Sequence, residues 1–242
     1  MPILHATSST PGTRNYIQMR HLIIYTLTAL LLLSCEQDTY DKGDGTYSDM
    51  TADFVEAHAN GEKNIDYVIT DNGDSLTLDV PCEASWASTA DSTYRAIMYY
   101  NKVDANTIKA LSISKMNLMS VTPSDSIKTM KTDPIGLESS WISKSKHFIT
   151  FAITLKVGIA NANSEKHRIT LIPDSVTLDK SGDKGTLHMT FFHDKGDIPE
   201  YYTEKFYFSL PTSILSGFGC DSAAIRVNTT ANGNKTLTFP IR

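Results

Sequence analysis

The sequence has few cysteines and no apolar run long enough to cross a membrane as a helix. It contains only 3 cysteines and 2 tryptophans in 242 residues. The longest mainly apolar stretch, Leu22 to Leu33, has 12 residues, whereas a membrane-spanning helix needs about 20. These shortages exclude a disulfide-rich scaffold, and they predict a protein that does not span a membrane.

Positive charge is also scarce. The chain has 22 Lys and Arg against 27 Asp and Glu, a formal net charge of −5. A nucleic-acid partner needs clustered cations that neutralise phosphates. The composition therefore argues against nucleic acid as a partner.

Motifs for metals, cofactors and catalysis are missing as well. The histidines after residue 35 follow neither H-E-x-x-H nor any other metal-ligand spacing, and no phosphate-binding loop occurs; they are His58, His147, His167, His188 and His193. We interpret them as surface or loop residues and expect no metal, no cofactor and no catalytic residue. The stretch around Cys220 and Ser222 lacks the second glycine of a nucleophile elbow. A hydrolase would need a serine or cysteine beside a histidine.

The N-terminal region has the pattern of an export signal. Arg20 and His21 precede the apolar run, which ends at Leu32-Leu33-Ser34-Cys35. This ending resembles the bacterial lipobox, which implies cleavage before Cys35 and lipidation of its thiol. We expect residues 1–34 to be a signal peptide, and residues 1–18 lie upstream of Met19, an alternative start.

An acidic, glycine-bearing tether is expected at residues 35–45. It resembles the export tag of surface lipoproteins in Gram-negative gut and oral anaerobes. We therefore expect a protein anchored by lipid to a membrane of the cell envelope, most simply the outer membrane. Both the periplasmic and the external face stay open.

The rest of the chain shows strand periodicity. Alternating apolar residues from Ile149 to Val157 indicate a half-buried antiparallel strand, and similar short strands with turn signals follow to residue 242. This pattern is typical of an all-β sandwich or barrel. Residues 46–122 predict a smaller β domain, residues 123–132 a linker, and residues 133–242 the sandwich.

A family resemblance adds to this picture. The lipobox, the tether, the small β domain, the residues Asp133-Pro134-Ile135 and Trp141 together resemble the NigD-like lipoproteins. The resemblance implies an OB-like barrel followed by an antiparallel β-sandwich, and a link to bacteriocin immunity without defined active residues. We expect a non-enzymatic module that binds a protein toxin. The alternatives are a glycan-binding accessory protein that uses tyrosines of the OB-like face and, less favoured, an envelope hydrolase.

Two modifications stay open. Five Asp-Ser pairs, each followed by an apolar residue or threonine, resemble the O-glycosylation acceptor of the same anaerobes; their serines are Ser75, Ser92, Ser126, Ser175 and Ser222. Asp-Ser is also a common turn opener. Cys82 and Cys220 either form a disulfide or are separate buried thiols, and we favour the thiols.

Overall fold

The computed structural model describes Gly43 and residues 45–159, 166–180, 182 and 185–242. The signal peptide, Cys35 and most of the tether lie outside these residues. Residues Thr46–Arg242 form one compact unit. No helix of the described residues is long and apolar enough to cross a membrane.

The first half of this unit is a closed five-stranded barrel. Its strands are β1 (Thr51–Ala59), β2 (Asn64–Thr70), β3 (Ser75–Glu83), β4 (Ser92–Lys102) and β5 (Thr107–Lys115), joined in the order β1-β2-β3-β5-β4. Gly73, with φ of 84°, makes the tight turn between β2 and β3, as its Asn-Gly sequence favours. The OB-like barrel is confirmed.

The second half is a sandwich of two four-stranded sheets. Its strands are β6 (Asn117–Leu118), β7 (Gly136–Ile142), β8 (Phe148–Val157), β9 (Arg168–Leu178), β10 (Gly185–Asp194), β11 (Tyr202–Pro211), β12 (Ser222–Thr229) and β13 (Gly233–Pro240). One sheet has the order β13-β12-β10-β9 and the other β6-β11-β8-β7. Two 3-10 turns, Ser124–Ser126 and Thr212–Phe218, lie outside the sheets. The all-β fold is confirmed.

Strand β8 is buried on both faces. Its predicted inward residues, from Ile149 to Val157, are at most 9% exposed and lie in the sandwich core. The other face was expected to meet solvent, but Thr150 is fully buried and Ala152 is 3% exposed. This correction has a plain cause, because residues of the barrel contact this outer face of the sheet.

The contact between barrel and sandwich is built around Arg95. Its guanidinium donates to both carboxylate oxygens of Asp71, at 2.6 and 2.7 Å. It also donates to Thr150 Oγ1 and Ser209 Oγ of the sandwich, and Trp141 Nε1 donates to Asp71 Oδ2 at 2.6 Å. We call these five residues the Arg95 lock, since they join side chains of both halves.

Residues 117–122 form a strap across the open side of the sandwich. Strand β6 pairs in parallel with β11, and the backbone of Leu171 in β9 donates to Ser120 O and accepts from Thr122 N. The strap therefore joins an edge of one sheet to an edge of the other. This pairing places residues 117–122 with the sandwich, although the sequence pattern predicted them in the first domain.

Candidate functional site

An apolar groove follows the strap on the sandwich side of the molecule. It has a volume of about 920 Å³, in the range of ligand-binding clefts. We call it the edge groove; its main apolar lining is Leu118, Met119, Val121, Pro123, Pro173, Pro211, Ile214 and Phe218. Three prolines in the lining fix φ at their own positions.

Three side chains of the edge groove are strongly exposed. Leu118 is 50% exposed, Ile214 42% and Phe218 39%. The 3-10 turn Thr212–Phe218 buries Leu215 in the core and ends at Gly219, whose φ of 67° reverses the chain. With Leu215 anchored inside, Ile214 and Phe218 stay at the surface. Such clustered apolar exposure marks an interaction surface.

Sequence patterns did not predict this groove. Its exposed residues come from the strap and from the segment between β11 and β12. In both, no periodicity distinguishes an inward from an outward side chain. Apolar residues in a proline-flanked loop, as in Pro211 to Phe218, were the available signal.

One histidine lies beside a carboxylate and a serine. His147 Nδ1 is 2.8 Å from Glu56 Oε2, as in a base held by its orienting acid. The nearby hydroxyl does not complete a catalytic set, because Ser145 Oγ donates to Glu56 Oε1 at 2.6 Å. Cys220 is buried, its thiol donates to Phe218 O, and burial raises its pKa. Neither Ser145 nor Cys220 therefore has the position of an activated nucleophile.

Three other histidines bear on the expectation that the histidines lie at the surface or in loops, and His193 departs from it. His188 is partly exposed and its Nε2 lies 2.8 Å from Thr177 Oγ1, but His193 is only 2% exposed. His193 Nε2 is 3.0 Å from His167 Nδ1, and its Nδ1 donates to Asp133 O. Burial lowers the pKa of His193. Among the described residues, no three His, Cys, Asp or Glu side chains are grouped to hold a metal.

The serines of the five Asp-Ser pairs differ in accessibility. Ser75, Ser126 and Ser175 are exposed, whereas Ser92 and Ser222 are partly buried. Ser92 Oγ also donates to Ala90 O at 3.2 Å. The structure therefore leaves three of the five hydroxyls open to a modifying enzyme.

Exposed tyrosines do not gather on the barrel. Of the tyrosines in the barrel strands, Tyr100 is buried and Tyr94 packs edge-on against Trp86. Tyr201 and Tyr202 are 77% and 54% exposed, but both belong to the sandwich. Cys82 and Cys220 are separate free thiols, as the sequence favoured, but only Cys220 is buried and Cys82 is partly exposed.

These features define an all-β protein in which an OB-like barrel is joined to a β-sandwich that carries an apolar edge groove. The chain belongs to the NigD-like family: residues 117–241 match the model described as the NigD-like C-terminal beta sandwich domain. The match begins at the first residue of β6, in agreement with the strand pairing of the strap.

Solved structures share this architecture. A NigD-like immunity protein from Bacteroides caccae is 18% identical with a TM-score of 0.55, covering 78% of this chain and 91% of that one. A candidate toxin-related protein from Parabacteroides distasonis is 17% identical with a TM-score of 0.57, covering 79% and 92%. A candidate lipoprotein from Bacteroides fragilis is 13% identical with a TM-score of 0.53, covering 80% and 98%. At these identities the likeness shows the fold alone. No curated protein matches the chain.

Proposed function

We propose that this chain is a non-enzymatic cell-envelope lipoprotein that binds a protein toxin and protects its own cell. The single observation that carries the proposal is the edge groove, where Leu118, Ile214 and Phe218 stay exposed in an apolar cleft. Large apolar side chains in a cleft are typical anchors of protein–protein contacts. The immunity and toxin-related names of two structural neighbours support the choice of partner.

Deletion of the gene tests this function. Cells with and without the gene are exposed to concentrated culture supernatants of bacteriocin-producing strains of the same genus. The deletion is expected to lower survival in at least one supernatant, and the gene supplied on a plasmid is expected to restore it. Equal survival of both strains in every supernatant that kills a sensitive indicator strain would contradict the proposal.

The anchor is a separate part of the proposal. Cys35 carries the lipid, residues 1–34 are removed, and residues 35–45 tether the barrel to a membrane, for which the outer membrane is the expected one. A neighbour named as a candidate lipoprotein supports this, and multiple acyl chains hold a protein firmly to a bilayer. Labelled palmitate should enter the wild-type chain but not the Cys35→Ala chain. Label in Cys35→Ala, or its full retention in the membrane fraction, would contradict the anchor.

Glycosylation is proposed for the exposed hydroxyls. Ser126 offers the best site, because it is exposed on the 3-10 turn Ser124–Ser126; Ser75 and Ser175 follow. The intact mass of chain purified from its own host should exceed the mass of the bare lipidated chain and should fall when Ser126 becomes Ala. A mass equal to the bare lipidated chain would rule this out.

A further inference from the structure

A second groove, with the opposite character, borders the edge groove. Residues 121 and 123–125 line the edge groove, and residues 122, 126–129 and 131 of the same segment line a cleft with the beginning of β9 and the end of β10. The cleft between them has a volume of about 630 Å³. We call it the cationic groove.

Three cations line the cationic groove against one carboxylate. The cations are Lys128, Lys131 and Arg168, and the carboxylate is Asp194. The excess of positive charge stands out, because the whole chain has a formal net charge of −5. A concave surface with cations on its walls raises the local concentration of anions.

The carboxylate holds two of these cations in place. The Asp194 side chain is 7% exposed and lies 2.9 Å from Lys131 Nζ and 3.5 Å from Arg168 Nη2. Gly196 N also donates to it, at 3.1 Å. The hydrogen bond from Lys131 lowers the pKa of Asp194, so the carboxylate stays ionised at neutral pH and keeps the two cations positioned.

Arg168 has a second contact, although its side chain is 68% exposed. Its guanidinium lies 5.6 Å from the centroid of the Phe192 ring, an attractive cation–π geometry. A guanidinium held on an aromatic face loses little freedom when it binds a ligand. Its remaining N–H groups can then donate in the plane to oxygens of an anion.

Hydroxyl groups complete the walls. Thr129 lines the groove beside the cations. Thr122 and Thr170 also line it, but Thr170 Oγ1 donates to Ser120 O and lies 2.9 Å from Thr122 Oγ1, so these two hydroxyls are hydrogen-bonded within the protein. Thr129 can therefore add a neutral donor. An anion with several acceptor oxygens, such as a phosphate group, matches this combination of ammonium, guanidinium and hydroxyl donors.

We propose that the cationic groove is a binding site for a phosphate group, carried either by a lipid headgroup or by a soluble molecule. Arg168 and Lys131 bind its oxygens from positions set by Asp194. Lys128, on the wall of the same groove, supplies the third positive charge. Phosphate binding at this groove does not depend on the toxin-binding function.

The test uses the full chain with Cys35→Ala, so that no attached lipid can carry the protein to a vesicle. One arm titrates inorganic phosphate by calorimetry at low salt. The other arm measures flotation with phosphatidylcholine vesicles that contain or lack phosphatidic acid. Binding is expected in at least one arm, and Lys128→Ala and Arg168→Ala should each weaken it by about tenfold, the usual effect of one lost charge-assisted hydrogen bond.

Lys235→Ala is the matched control, since Lys235 is an exposed cation on β13 and should leave binding unchanged. Phosphate binding without flotation assigns a soluble ligand, and flotation alone assigns a lipid headgroup. No binding in either arm would overturn the proposal, and so would binding that Lys128→Ala and Arg168→Ala leave intact. Lys128→Ala keeps the test valid if Arg168→Ala disturbs folding, because Lys128 is exposed and lies outside the sheets.

Discussion

Arg95 is 2% exposed, yet its guanidinium makes four hydrogen bonds to side chains of both domains. Its carbon Cζ also lies 4.9 Å from the centroid of the Phe148 ring. A buried charge is tolerated only when it is paired and hydrogen-bonded. The sequence alone does not identify the partners of Arg95, because Thr150 and Ser209 belong to the sandwich and come close to Arg95 only in the folded protein.

The Arg95 lock gives the first prediction. Asp71→Asn leaves the Arg95 charge without its counter-ion, so the free energy of unfolding should fall by about 3 kcal/mol. Urea unfolding of residues 46–242 measures this value. Glu138→Gln is the control, because Glu138 pairs with Lys205 at the surface and such exposed pairs contribute at most about 1 kcal/mol. Equal losses for the two variants would contradict the role of the lock.

His193 gives a prediction about pH. Burial lowers the pKa of His193 below its ordinary value of 6.5, so the unfolded chain binds this proton at higher pH than the folded chain. The groups that face the ring are His167, Asp133 and Asp194. Since the state that binds more protons gains as pH falls, His193 should reduce stability as pH drops below about 6.5.

The measurement compares the urea midpoints of wild-type and His193→Gln chains at about pH 7.5 and about pH 5.5. The wild type should lose more stability between the two values than the variant, which has no imidazole to protonate. An identical loss in both chains would show that other groups determine the pH response.

At the scale of the elements, the pairing of β7 with β8 depends on a glycine. A Cβ added at Gly136 would lie 1.9 Å from Thr154 Oγ1 of the opposite strand. Gly136→Ala should therefore destabilise the sandwich by about 1 to 3 kcal/mol, the usual cost of overpacking. The double variant Gly136→Ala, Thr154→Ala removes the nearest atom and should recover part of the loss.

Gly61→Ala is the control for this prediction, because no atom lies within 4 Å of its added Cβ. The measurement is the melting temperature of the three variants in thermal unfolding. Equal changes of the melting temperature in Gly136→Ala and Gly61→Ala would contradict the prediction, because they would show that contact with Thr154 does not determine the need for glycine at this position in β7.

The sequence predicted well which residues of a strand face the sandwich core. The inward residues of β8 and the hairpin between β12 and β13 follow directly from period-two alternation and from the Asn232-Gly233 turn. The sequence did not predict burial of the second face of β8, because Thr150 and Ala152 are small or polar residues that occur both in solvent and in packed interfaces. Arg95 of the barrel donates a hydrogen bond to Thr150, although the two residues are far apart in the chain.

The edge groove was hidden for a related reason. Leu118 and Phe218 lie about a hundred residues apart, in segments without regular periodicity, and the strap brings them together through the pairing of β6 with β11. Sequence patterns report which side of one element is apolar. They do not report which elements share an edge of a sandwich, so the candidate site required the structure.

At the scale of the whole molecule, the barrel and the sandwich contribute different features. The barrel contributes Asp71 and Arg95 to the lock on the outer face of one sheet. The sandwich and its strap carry both the apolar edge groove and the cationic groove. Since the family model also begins with the strap, we place the proposed binding functions in the part of the chain that the family shares.

The central claim is that side chains of the edge groove bind a toxin, and a single substitution tests it most directly. A strain without the gene is supplied with wild-type chain, Phe218→Lys or Val103→Lys, at equal abundance, and its survival is measured in a toxic culture supernatant. Val103 is the control, because it is 59% exposed beside β4 of the barrel, away from the groove. We predict that Phe218→Lys loses about tenfold or more of the protection, as for a central interface anchor, while Val103→Lys protects like the wild type. Full protection by Phe218→Lys would contradict the claim.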